Sequence, residues 1–157
     1  MQIETNYLDS VYNIKLYSKN VKKICKYLKP FYLSKKFEAI AFTGTSGAAL
    51  AYPISAELKI PLICVRKSDK NHSGLQIEGC TSVAKYIIID DFIDTGATIN
   101  RIINKIKKIM PNSKCIAVVL YDSESTLTYK NESYFKPKFG NKIPIITSNN
   151  DIRKYMK

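Results

Sequence analysis

The chain has 157 residues, 45% hydrophobic and 24% charged, with 25 Lys and Arg against 13 Asp and Glu for a net charge of +12. These values fit one globular domain over residues 1–157 and exclude a disordered chain. No apolar run approaches the length of a membrane span. The basic excess suits a polyphosphate substrate as well as it suits a nucleic acid. No run of basic residues with interleaved aromatics tracks a strand, and there is no zinc-finger spacing, so nucleic acid is not expected as the main partner.

Residues up to about Ser18 carry no clear pattern. Val21, Ile24, Cys25 and Leu28 repeat at helical spacing, and Pro30 ends the pattern; Lys22, Lys23, Lys26 and Lys29 read as its wet face. Residues 38–43 read as a strand, followed by a small-residue turn, Thr43-Gly44-Thr45-Ser46-Gly47. Residues 48–58 read as a helix that Pro53 must kink or start later. Residues 61–66 form a strand, and 67–84 a polar loop or flexible hairpin. A strand over 85–90, a helix over 95–110 and a strand over 114–120 follow. Ile99, Ile102, Ile103, Ile106 and Ile109 mark the core face of that helix. Beyond Tyr121 the pattern dissolves, except for a short strand over 143–147. Strands alternating with helices imply an α/β fold on a parallel sheet.

The four cysteines, Cys25, Cys64, Cys80 and Cys115, form no Cys-x-x-Cys pair, and the chain has one histidine. A Cys/His metal site is therefore not expected. Cys25, Cys64 and Cys115 lie in apolar runs and read as buried reduced thiols, whereas Cys80 lies in a polar stretch. No signal peptide is legible, and a reduced cytoplasmic setting is the expectation.

Chemistry concentrates in residues 87–98. The β-branched run Ile87-Ile88-Ile89 ends in Asp90 and Asp91, and Thr95, Gly96 and Thr98 then open a helix. Ligands on parallel sheets bind at the carboxyl ends of strands, and a helix N-terminus with free N–H groups suits a phosphate. Two adjacent carboxylates would repel that phosphate. They suit sugar hydroxyls or the water shell of a metal. A phosphate beside a diol points to a ribose 5-phosphate.

This segment resembles the phosphoribosyl pyrophosphate (PRPP) signature of type I phosphoribosyltransferases: an apolar run, two acids, a short loop and Thr-Gly-x-Thr. The resemblance covers about residues 20–120. It implies a Rossmann-like central parallel sheet flanked by helices, with a small hood from the chain ends. It implies transfer of a phosphoribosyl group from PRPP to a nucleobase by a cytoplasmic homodimer. Thr95, Gly96, Ala97 and Thr98, with Asp94 at the loop edge, would hold the 5-phosphate, and Asp90 and Asp91 the ribose diol. Mg2+ would be held through PRPP and water near these acids, with no direct protein ligand. Pyrophosphate would lie on Thr43, Gly44, Thr45 and Ser46, with Arg66, Lys67, Lys70 and His72.

The spacing Arg66-Lys67-x-x-Lys70-x-His72 is similar to the mobile catalytic loop of orotate phosphoribosyltransferases, with Ser73 where that family usually has Gly. It makes Lys70 and His72 catalytic candidates beside Asp94. Asp94 matches the carboxylate that faces the purine N7 in hypoxanthine–guanine enzymes, and it would repel the orotate anion, so a purine is favoured. Against this, the strand over 114–120 ends without the Lys those enzymes use to read the purine keto oxygen. A non-catalytic PRPP-sensing regulator of the same fold is the alternative, and another phosphosugar enzyme a third.

Overall fold

The computed structural model describes residues 9–67, 74–121 and 133–147. Its elements run α1 (Asp9–Tyr12), α2 (Ile14–Leu33), β1 (Ala39–Phe42), α3 (Gly44–Leu58), β2 (Leu62–Val65), β3 (Ile77–Gly79), β4 (Lys85–Asp90), α4 (Ala97–Ile109), β5 (Lys114–Leu120), β6 (Tyr134–Phe135) and β7 (Ile143–Thr147). They build a seven-stranded sheet ordered β3-β2-β1-β4-β5-β7-β6. The five inner strands are parallel, and β3 and β6 pair antiparallel at the two edges.

Both sheet faces are covered, which is why the strands are nearly all apolar. Ile40, Phe42, Ile87, Ile89, Val119 and Ile146 point to the face packed by α2 and α3. Ala39, Ala41, Ile88, Val118, Leu120 and Ile145 point to the other, packed by α4. Successive residues alternate between the faces, as the pleat requires. The strand order reverses between β1 and β4, because the α3 crossover leaves β1 one way and the α4 crossover leaves β4 the other. That reversal opens a crevice at the carboxyl ends of β1 and β4.

Several sequence expectations are corrected. Helix α2 begins at Ile14, capped by the Asn13 side chain, which accepts from the Lys15 and Leu16 amides, and it continues through Pro30 to Leu33. Helix α3 runs unbroken through Pro53. Proline has no N–H to give the carbonyl four residues back, that of Ala49. The Tyr17 hydroxyl of α2 donates to that carbonyl at 2.7 Å and so makes good the loss. The turn expected over 43–47 is the first turn of α3 itself, and α4 begins at Ala97 rather than Thr95. On α4, Ile99, Ile102 and Ile106 are buried and Ile103 packs against the core, but Ile109 is 49% exposed near the helix end. Strand β3 occupies part of the polar 67–84 stretch and pairs antiparallel with β2, which precedes that stretch. All four cysteines are free; Cys25 is buried and the other three are partly exposed. The expected hood from the chain ends lies partly outside the described residues, which leave out residues 1–8, 122–132 and 148–157.

Candidate functional site

Strand β4 carries its apolar run to the crevice and ends it with Asp90, followed by Asp91. Both are buried, at 4% and 5% exposure. The Asp90 Oδ1 accepts from the Ser46 hydroxyl and from the Asp91 amide, each at 3.1 Å. Burial, and then the charge of Asp91 beside it, push the Asp90 carboxyl up to about 7. Two adjacent buried acids form a site that a polyol or a cation would relieve.

The loop after Asp91 is anchored by Ile93, which is 3% exposed, while Asp94 and Thr95 face solvent. Gly96 occupies the N-cap position of α4 with φ +77°. A Cβ there would lie 2.5 Å from Cε2 of Phe135, so glycine is needed both for the backbone angle and for the approach of that ring. The Thr95 hydroxyl accepts from the Ala97 amide at 3.3 Å. Asn100 donates from Nδ2 to the Gly96 carbonyl at 3.1 Å, and its Oδ1 accepts from the Lys138 amide at 2.9 Å. The β6 segment thus supports the loop from behind. Ahead of the loop, the first turn of α4 presents amides that lack helical acceptors.

On the β1 side, Thr43 is buried and its hydroxyl donates to the Val65 carbonyl, tying the ends of β1 and β2 together. Gly44 has φ +66°, and the Lys67 Nζ lies 2.7 Å from where its Cβ would be, so the ammonium sits over the first turn of α3. Ser46 lines the crevice, whereas Thr45 is exposed and lies outside its lining. Together Thr43, Ser46, Lys67 and residues 90–99 line a cavity of about 260 Å3. The acid pair, the α4 loop, the α3 turn and Lys67 therefore converge.

Arg66 is placed apart from them. Its guanidinium makes a bidentate pair with Glu78 of β3, at 2.9 and 2.8 Å, and is absent from the cavity wall. Lys70 and His72 lie outside the described residues. Among the described residues no group of three or more His, Cys, Asp or Glu could hold a metal. The site therefore offers no protein cage. Its two acids fit an ion such as Mg2+, which keeps several waters and takes much of its coordination from substrate phosphates.

Sequence reasoning did not find Tyr121, Asn100 or Phe135. The Tyr121 hydroxyl donates to the Ser46 carbonyl at 2.8 Å, linking the end of β5 to the α3 turn beside Asp90. Tyr121 was visible only as the residue where an apolar strand stopped, and Phe135 lies in a segment without periodicity.

A doubly wound sheet with an acid pair and a helix N-terminus at its switch point has the architecture of the type I phosphoribosyltransferases. A family model described as PRTase-CE matches residues 3–155, and the chain belongs to that family. Among curated proteins it is 26% identical over 133 residues to a hypoxanthine/guanine phosphoribosyltransferase of Methanothermus fervidus, covering 73% of this chain and 70% of that protein. It is 26% identical over 119 residues to the purine biosynthesis transcriptional repressor PurR of Bacillus subtilis, covering 64% of the chain and 42% of the repressor. A shorter stretch of 63 residues is 41% identical to an orotate phosphoribosyltransferase of Staphylococcus aureus, covering 39% of the chain and 31% of that enzyme. In fold, it is similar to an adenine phosphoribosyltransferase of Thermoanaerobacter pseudethanolicus, with a TM-score of 0.59 at 17% identity over 93% of this chain and 87% of that one. An orotate phosphoribosyltransferase of Francisella tularensis gives a TM-score of 0.56 at 19% identity over 85% and 66%. No helix among the described residues is long and apolar enough to cross a membrane.

Proposed function

We propose that the protein transfers a phosphoribosyl group from PRPP to a nucleobase, with a purine favoured over orotate, and releases pyrophosphate. One observation carries this reading. The buried Asp90–Asp91 pair and the N-terminus of α4 meet in one cavity, side by side, as a ribose diol and its 5-phosphate would require.

Each residue then has a task. The Ala97–Ile99 amides and the Thr95 and Thr98 hydroxyls receive the 5-phosphate, aided by the helix dipole. Asp90, held by Ser46, and Asp91 accept from the ribose hydroxyls. Lys67 and the α3 turn take the pyrophosphate. Asp90 and Asp91 would hold Mg2+ through its water shell, where it would neutralise charge on the pyrophosphate. The bond from C1 of ribose to pyrophosphate oxygen breaks, and its electron pair leaves with pyrophosphate. One ring nitrogen of the base bonds to C1, and the base loses the proton of its other ring nitrogen, N7 in a purine, for which the Asp94 carboxylate is the acceptor. The sequence assigns Arg66, Lys70 and His72 to the pyrophosphate as well. For Arg66 this requires release from Glu78.

The purine preference draws support from Asp94 and from the longer match to the hypoxanthine/guanine enzyme. The test is pyrophosphate release from PRPP and Mg2+ with hypoxanthine, guanine, xanthine, adenine and orotate in turn. Turnover with any purine above orotate supports the reading, and orotate above every purine overturns the preference. The second reading, a PRPP-binding regulator, is favoured by the match to the PurR repressor. Calorimetric PRPP binding without turnover of any base would establish it.

A further inference from the structure

We propose that the groove between α2 and α3 binds single-stranded nucleic acid. This groove encloses about 590 Å3, more than twice the catalytic cavity, and does not share a lining residue with it. Tyr17, Val21, Cys25 and Leu58 are among the residues lining it, and Lys22, Lys26, Lys29 and Lys59 stand around it with one carboxylate, Glu57.

The charge is concentrated by α2 itself. Its 20 residues include Lys15, Lys19, Lys22, Lys23, Lys26 and Lys29, and no Asp or Glu. Lys15–Lys19, Lys19–Lys23 and Lys22–Lys26 are like-charge pairs four residues apart, each of which destabilises a helix. Folding gains nothing from that arrangement, but an anionic partner would. Lys22, Lys26 and Lys29 fall on one wall of the groove at about one per turn, or roughly every 5 Å along the axis.

The aromatic rings identify the anion. Tyr17 and Tyr32 lie about four turns apart on α2, and both line the groove. Their hydroxyls are fixed to α3 and its C-cap, Tyr17 on the Ala49 carbonyl at 2.7 Å and Tyr32 on the Lys59 carbonyl at 3.1 Å. Both rings are also packed in part against the core, Tyr32 with its centroid 5.7 Å from that of Phe37, so the part of each ring that lines the groove loses little freedom when a base stacks on it. Cations that follow a phosphate backbone, with flat rings at either end of the run, form a combination that suits single strands with little sequence preference. A duplex is too wide for a groove between neighbouring helices roughly 8–10 Å apart. A second copy across a two-fold axis would set one lysine stripe against the other. The grouping of the lysines between two tyrosines escapes a linear reading because helical winding brings residues 17, 22, 26, 29 and 32 to one groove.

The test is fluorescence anisotropy with labelled oligothymidylate and oligouridylate of about twelve nucleotides, titrated across salt. Four lysines on phosphates predict a log–log salt slope near −3, at about −0.7 for each contact. The variant Lys22→Gln/Lys26→Gln/Lys29→Gln should weaken binding about tenfold or more and reduce the slope to near −1. Equal removal of charge elsewhere, in Lys107→Gln/Lys108→Gln/Lys114→Gln, should leave the slope unchanged. Melting temperatures check folding, and the α2 variant should melt no lower than wild type, because it loses like-charge repulsion. Equal loss in both triple variants, no saturable binding, or displacement of the oligonucleotide by equimolar polyglutamate would each overturn the proposal. Preference for an equally long duplex would do the same.

Discussion

Asp90→Asn should make the ligand-free protein more stable while destroying its binding site. The carboxyl is raised from 3.8 to about 7, first by burial and then by Asp91. A group raised in the folded state favours folding fully only below its unfolded value, and that contribution is lost as pH rises through the folded value. Asp90 therefore costs the native state little near pH 4, progressively more toward pH 7, and a constant amount above. At about 1.4 kcal/mol for each step of one in pKa, the ceiling is about 4 kcal/mol. Asparagine keeps an oxygen for the Ser46 hydroxyl and the Asp91 amide, and turns an N–H2 toward Asp91 in place of a repelling oxygen. About half the ceiling, ~2 kcal/mol, is the expected gain near pH 8, or about 4–8 °C in melting temperature for a domain of this size. Near pH 4 the gain should nearly vanish. Thermal denaturation without ligand at both pH values gives the answer, and calorimetry with PRPP should show at least tenfold weaker binding. A variant that melts below wild type at about pH 8, or gains equally at both pH values, would refute the reasoning.

Gly96→Ala should lower stability by about 2 kcal/mol or more, because it meets both a positive φ and the Phe135 ring, and calorimetry should register the loss of the phosphate loop as weaker PRPP binding. Tyr17→Phe leaves the Ala49 carbonyl without its donor and should cost about 1 kcal/mol in urea unfolding without changing PRPP affinity. Lys67→Ala should weaken pyrophosphate and PRPP binding several-fold at unchanged melting temperature, since its ammonium faces the cavity over Gly44. Glu78→Gln removes a partly exposed pair and should move stability by about 1 kcal/mol at most, while a rise in pyrophosphate affinity would show Arg66 recruited to the site.

Most of the parallel sheet was legible in the sequence because each strand is buried on both faces and so reads as an uninterrupted apolar run. Residues 85–90 and 114–120 match their strands end to end. The acid pair was legible because carboxylates at the end of such a run have few structural uses. Pro30 misled, since α2 continues past it to Leu33. Pro30 and Pro53 both sit inside helices, and the donor that compensates for Pro53 comes from a residue 36 positions earlier, a distance that local pattern reading does not span. Edge strands β3 and β6, of three and two residues, carry too little periodicity to register. Arg66 read as a pyrophosphate ligand because its spacing suited one. Its partner Glu78 becomes visible only once β3 folds back on β2.

The Phe135–Gly96 contact has a consequence for the order of synthesis. Every residue of the signature is made by Thr98, and the strands on either side of it by Leu120. Yet the phosphate loop rests on a ring from β6, which in turn is held to the sheet by β7, paired with β5 through Thr147. A nascent chain that has passed the signature therefore displays its chemistry before it has the support that shapes it. The late contact joins residues 39 positions apart and makes competence for ligand wait until the chain has been made through β7. A truncation after Tyr121 would keep the full recognition motif and lose the backing of its phosphate loop.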